Sequence, residues 1–212
     1  MLLGRRTART IAAAGVALAL TGASACATDR EVTEPEPVPV TEELLTEQLL
    51  TAEDLPAGFE AAEAQPINSD VVEEAPCDDA LAEIEAEADA TATFTREGLV
   101  VTNQVAYLPG SAGSFVDLID DIYEDCAKVE IEGKSIRTLP LDFGSLTDNT
   151  KAMKVEVENG ANDIDEHDYI VMQKGDLVSV IRVDGQRPND VVVTDAAVRA
   201  AIGNLGTLDN ET

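Results

Sequence analysis

Tryptophan is absent from this 212-residue chain, and four phenylalanines and three tyrosines are its only other aromatic residues. A core built from this sequence must therefore rest on aliphatic side chains, which the 44% hydrophobic content can supply. Histidine occurs once, at His167. One imidazole beside carboxylates does not make an ordinary zinc site. Basic residues are scarce: 14 Lys+Arg stand against 42 Asp+Glu, a net charge of −28. Such a chain repels phosphate backbones and anionic lipid headgroups, which excludes nucleic acid as a partner. The sequence also lacks a Cys-x-x-Cys redox pair, a Gly-x-Ser-x-Gly nucleophile elbow and a glycine-rich phosphate loop. No motif calls for a cofactor, and none supplies a catalytic nucleophile.

What is present begins with an export signal. Arg5, Arg6 and Arg9 form a positive start, "IAAAGVALAL" (Ile11 to Leu20) a short apolar stretch, and Ala23 to Ala25 the small residues of a cleavage site. The apolar stretch falls well short of the roughly 20 residues that span a bilayer. Residues 1–25 are thus expected to be a removed signal peptide. Without its three arginines, 11 basic residues face 42 acidic ones, a net charge of −31.

"ASAC" fits two processing chemistries. It resembles a bacterial lipobox, with Cys26 as the lipid attachment site, although Ala23 stands where leucine is usual. Cleavage by a general signal peptidase would instead leave Cys26 as a free thiol in a secreted protein. Cysteine arithmetic bears on the choice. Cys26, Cys77 and Cys126 leave one thiol over in an oxidising compartment. A Cys77–Cys126 disulfide with Cys26 lipidated accounts for all three; two free buried thiols are the alternative. Closing that loop of about 50 residues would stabilise the fold by roughly 4 kcal/mol on the chain-entropy estimate. Residues 26–41, acidic and proline-punctuated, read as a solvated stalk.

Residues 42–207 read as a single domain, with 208–212 as a tail. Leu44, Leu45, Leu49 and Leu50 form a short helical stripe, and "CDDALAEIEAEAD" from Cys77 reads as a helix capped by Asp78 and Asp79. A hairpin is expected around Arg96-Glu97-Gly98 and a second around Lys174-Gly175-Asp176. Between them, Ser114 with Asp117 resembles a capping box. Phe115, Ile119, Ile122 and Cys126 share one helical face, widened by Leu118 and Tyr123. Met153, Val155 and Val157 alternate with charged residues as a strand, and "TDAAVRAAIGNLG" closes the chain as a helix starting at Thr194 or Asp195. The expected fold is α+β: one antiparallel sheet of about five or six strands, helices packed on one face, and a single disulfide.

One cluster has the composition of a metal loop. "ENGANDIDEHD" (Glu158 to Asp168) offers Asp163, Asp165 and Asp168, with Glu166 beside them, as hard oxygen ligands for Ca²⁺ or Mg²⁺. The glycine and glutamate positions of an EF-hand are missing, so a solvated hairpin loop is the competing reading. Carboxylate pairs for glycoside chemistry are too easily supplied by 42 acidic residues to argue anything.

The layout resembles that of actinobacterial envelope lipoproteins. The features that carry the likeness are the lipobox-like Cys26 and stalk, "LLTAEDLPAGF" (Leu49 to Phe59), a cysteine before a short helix, and "FVDLIDDIYEDCAKVE" (Phe115 to Glu130) leading into strands. The whole resembles the extracellular sensor domain of PknH-type Ser/Thr kinases over roughly residues 42–207. That resemblance implies a disulfide-stapled sheet-and-helix fold with a cleft that binds a ligand or partner, and no catalysis. The kinase domain has two disulfides where this chain has cysteines for one, and Tyr123 stands where tryptophan is common. The expected protein is therefore an extracytoplasmic lipoprotein, held to the membrane through Cys26, that binds a small ligand or an envelope protein. Its rivals are a cell-wall hydrolase using an Asp/Glu pair and an acidic cation-binding or structural envelope protein.

Overall fold

Four consecutive residues, Tyr169, Ile170, Val171 and Met172, are all buried within one strand. Successive side chains of a strand point to opposite faces, so a run of this kind demands cover on both sides of the sheet. The computed structural model describes residues 39–65, 86–125, 127–131, 134–143, 146–147, 149–160, 163–186 and 191–206. These residues fall within one compact unit, Pro37–Thr212.

The elements are helix α1 (Glu42–Thr46), a 3₁₀ turn (Ala52–Asp54), β1 (Glu60–Ala62), β2 (Ala88–Arg96), β3 (Leu99–Tyr107), α2 (Ala112–Asp125), β4 (Lys128–Ile131), β5 (Lys134–Pro140), β6 (Asn149–Gly160), β7 (Asp163–Lys174), β8 (Leu177–Gln186) and α3 (Val191–Asn204). The strands form one antiparallel sheet in the order β1-β2-β3-β8-β7-β6-β5-β4, open at both ends. Both expected hairpins are present. At the first, Glu97 and Gly98 have φ of 43° and 83°, the double positive φ of a tight primed turn that follows strand twist.

Two apolar layers cover the sheet. On one face, Val101, Val105, Ile170, Met172, Ile181 and Val183 pack with Leu45 and Leu50 and with Val193, Ala197, Val198 and Ala201 of α3. On the other, Val116, Ile119 and Ile122 of α2 pack on Ile136, Met153, Val155, Val157, Val171 and Val178. We call these the α3 face and the α2 face. At the centre of the α3 face, Asn103 is fully buried. Its Oδ1 accepts from the Leu50 amide at 2.9 Å, and its Nδ2 donates to Ser179 Oγ at 3.0 Å and to the Val180 carbonyl at 3.3 Å. One amide thus ties the chain leaving α1 to the middle strands.

The structure corrects the expected architecture. Among the described residues there are eight strands, where five or six were expected, and helices lie on both faces of the sheet. The strands that were not expected are β1, β4 and β5. Two expected elements also change: Ala88 and Asp89, expected as the end of a helix, open β2, and the expected acidic loop is largely the start of β7. The rest of that expected helix, from Cys77, lies outside the described residues. The single disulfide is corrected as well. No disulfide is present among the described residues, Cys77 and Cys126 lie outside them, and aliphatic packing and sheet pairing hold the described fold together. The α2 stripe is turned by about one position, with Val116 fully buried and Phe115 only partly so. That helix starts at Ala112, before the Ser114 expected to cap it, and α3 starts at Val191, before Thr194.

Replacing Asn103 with alanine strands the Leu50 amide and the Ser179 hydroxyl in a dry interior. Asn103→Ala is expected to cost about 2–3 kcal/mol. Val191→Ala, at a position 73% exposed, is expected to stay within about 0.5 kcal/mol of the parent. Urea unfolding of both variants checks the difference.

Candidate functional site

The acidic run of β7 is divided by the strand period. Asp163, Asp165 and His167 have the parity of the α2 face, while Glu166 and Asp168 have that of the α3 face. The three residues expected as a cation site therefore do not converge. Asp163 is exposed at the strand start, Asp165 is partly buried on one face, and Asp168 is 5% exposed on the other. Among the described residues, no three Asp, Glu, His or Cys side chains are grouped so as to hold a metal. Cys26, Cys77 and Cys126 lie outside the described residues.

On the α3 face the structure assembles a charged cluster that the sequence reading did not single out. Lys154 stands opposite Asp168 and Glu156 opposite Glu166 across β6 and β7, and Arg137 stands opposite Glu156 across β5 and β6. Lys154 Nζ donates to Glu166 Oε2 at 2.7 Å and lies 3.7 Å from Asp168 Oδ1. Arg137 lies 3.8 Å from Glu156 Oε2. Thr194 of α3 donates to Asp168 Oδ2 at 3.3 Å, so the cluster also locates the helix. Like charges directly opposed across a sheet destabilise it; here the two cations offset the Glu156–Glu166 pairing. Burial of the Lys154 ammonium by itself lowers its pKa. The hydrogen bond that Lys154 donates to Glu166 and the charges of Asp168, Glu166 and Glu156 more than offset this, so the pKa is raised.

On the α2 face, His167 stands opposite Asp184 across β7 and β8, and Tyr169 opposite Arg182. His167 Nδ1 and Asp184 Oδ1 are 2.7 Å apart, and Arg182 Nε donates to Asp184 Oδ2 at 2.8 Å. Both carboxylate oxygens are thereby engaged. The three side chains keep 16%, 16% and 15% of their surface, enough for solvent to reach a group whose orientation is otherwise set. Thr102, opposite Arg182 on β3, extends the Tyr169–Arg182 row, and Val100 extends that of His167 and Asp184. His167 was noticed in the sequence only as a solitary loop histidine. Its partners come from β8, about 17 residues further along, and only strand pairing brings them together.

A shallow, open hollow lies elsewhere, lined by Ala57, Gly58, Glu60, Thr95, Arg96 and Glu97. The Arg96 guanidinium sits 4.5 Å from the Phe59 ring centre and donates to the Ala57 carbonyl at 3.3 Å. That arginine fastens β2 to the chain before β1, and we read the hollow as surface relief. The strip on β7 and β8 is the better candidate site.

Lysine ionisation gives a directional test. A raised folded-state pKa means that the contribution of Lys154 is fully present below the pKa of the unfolded chain, about 10.4. It is lost as pH rises through the higher folded value. Lys154→Met is expected to cost about 3 kcal/mol at neutral pH, because buried carboxylates lose their cation. It is also expected to flatten the alkaline arm of the stability profile, measured by urea unfolding from neutral pH to above the lysine range.

No family model and no curated protein sequence matches the chain. Among solved structures, the extracellular domain of PknH from Mycobacterium tuberculosis is similar, with a TM-score of 0.53 and 16% identity. The alignment covers 79% of this chain and 98% of that one, and the likeness is one of fold.

Proposed function

We propose that the protein is an exported lipoprotein, anchored through Cys26, whose domain binds a ligand or partner without catalysing a reaction. The observation that carries this reading is a fold shared with the extracellular domain of PknH, placed behind an export signal and a lipobox-like cysteine. The polar groups of the domain support it. The charged side chains of the β7–β8 strip are fixed by one another and remain partly open to solvent, an arrangement suited to recognition. No helix of the described residues is long and apolar enough to cross a membrane. In this reading the membrane is held by lipid alone. A single acyl chain binds a bilayer only marginally and two or more hold it stably, and lipobox processing supplies several. The acidic composition opposes contact with anionic headgroups, so attachment in this reading depends on the lipid and not on the protein surface.

Intact mass of the protein isolated from its host tests the anchor. The expected mass is that of residues 26–212 plus lipid, with the lipid increment lost in Cys26→Ser and the variant recovered in the soluble fraction. An unlipidated mass beginning at Cys26 would overturn the anchor and make the protein a freely secreted one.

A further inference from the structure

The sheet ends at β4, and the outer edge of that strand carries unpaired backbone groups. β4 closes the strand order and pairs only with β5, Lys128 opposite Arg137 and Val129 opposite Ile136. The Thr138 amide donates to the Ala127 carbonyl at 3.3 Å. Residue 127 therefore turns its peptide groups toward β5, and in an antiparallel ladder residue 129 does the same. The N–H and C=O of Lys128 and Glu130 point the other way, to the open edge, where no described residue meets them. Such an edge is a template for another strand.

Its side chains decide which strand fits. Lys128 and Glu130 lie on the α3 face, with side chains 64% and 75% exposed. Val129 between them is half-buried on the α2 face beside Ile136. Lys128 stands directly opposite Arg137, a like-charge pairing that destabilises. Its contact with Glu130, at 3.6 Å, runs along the strand and is screened by water. A lysine on an edge ordinarily keeps other strands away. Here a glutamate two residues on, on the same face, makes Lys-Val-Glu its own complement. Two antiparallel copies centred on Val129 bring each Lys128 opposite Glu130 of the other copy. These are the residues whose backbone groups face outward, so each pair exchanges both ladder hydrogen bonds. On the other face, Val129 meets Val129 of the second copy as the closer, non-hydrogen-bonded pair. The apolar row Val157–Ile136–Val129 then continues across the axis. β1, the opposite edge, offers no such match: Glu60–Ala62 is exposed throughout and carries no cation.

We propose that β4 is a self-pairing edge, joining two copies of this chain into one continuous sheet through an antiparallel β4–β4 contact about Val129. The helices leave room for it. α2 packs chiefly over β6, and the two β6 strands would stand five strand spacings apart, about 24 Å, roughly twice the width of a helix. The contact is small beside the roughly 1,600 Å² of a standard interface, and the −28 charge of each chain opposes it. The dimer is therefore weak and forms at high local concentration. It depends neither on the ligand-binding reading nor on the lipid anchor.

Sedimentation equilibrium of the Cys26→Ser chain, which has no odd thiol to cross-link copies, tests the contact. Salt at about 0.15 M screens the overall charge beyond about 8 Å. The expected result is a reversible monomer–dimer equilibrium. Lys128→Glu and Glu130→Lys each set like charges opposite one another and are expected to weaken it about tenfold or more. Both sites are exposed, so both variants are expected to melt close to the parent. An equimolar mixture of the two variants is expected to associate again, because each chain then meets opposite charge at both positions. The double variant Lys128→Glu/Glu130→Lys is expected to dimerise like the parent for the same reason. A parent that stays monomeric at every concentration overturns the proposal. So does a dimer that neither single variant weakens, which places the interface elsewhere. Loss in both single variants without recovery in the mixture overturns the register about Val129. Growth into ever longer oligomers overturns the two-fold contact in favour of head-to-tail pairing of β4 with β1.

Discussion

The fold depends on a strand that is apolar on both sides. With Tyr169, Ile170, Val171 and Met172 all buried, β7 cannot sit at an edge or face water on either surface. It lies inside the sheet between β6 and β8, with α3 and the α1 segment on one side and α2 on the other. At roughly 25 cal/mol per Å² of apolar surface removed from water, these four side chains alone are worth several kcal/mol. A helix missing from either face would return about half of that gain. The low aromatic content becomes tolerable for the same reason: two thin aliphatic layers on one sheet need no large ring to fill them.

The second constraint is the disposal of negative charge. Asp and Glu outnumber Lys and Arg threefold, and most carboxylates of the described residues are left to water. The few cations are used where strand pairing places carboxylates inside: Lys154 with Glu166 and Asp168, Arg137 with Glu156, Arg182 with Asp184. Lys151 ties β6 to Asp120 of α2. An exposed pair such as Arg199–Asp195 contributes little by comparison, being screened by solvent. The interior pairs are different in kind, since loss of one partner leaves a charge without water or counterion. They fix which strands are neighbours more than they raise stability.

Between the two faces of β7, then, chemistry is sorted by parity. Glu166 and Asp168 meet Lys154 and the start of α3, where they hold the helix in place. His167, one residue from each, faces the opposite way and joins Asp184 and Arg182. The shared fold with the PknH extracellular domain says how such a sheet is built. It does not say what the sheet binds, which depends on side chains that 16% identity leaves largely different.

The turns and the strand alternation were legible in the sequence. Glu97-Gly98 and Gly175-Asp176 mark reversals whose flanking residues pair as expected, and the apolar spacing after Gly113 marks α2. Those signals are local, set by φ preference and by periodicity within a few residues. The strand count was not legible. Lys128–Ile131 and Lys134–Pro140 are too short and too charged to announce themselves, and β7 opens with acidic residues typical of loops. They are strands because neighbours offer backbone partners, and local composition does not record that. The candidate site follows the same division. The sequence by itself determined that His167 stands alone and that a histidine-rich metal centre was excluded. Only the tertiary structure decided what surrounds His167, because Asp184 meets it across β7 and β8 and Arg182 holds Asp184, and register between strands is settled by burial of whole faces.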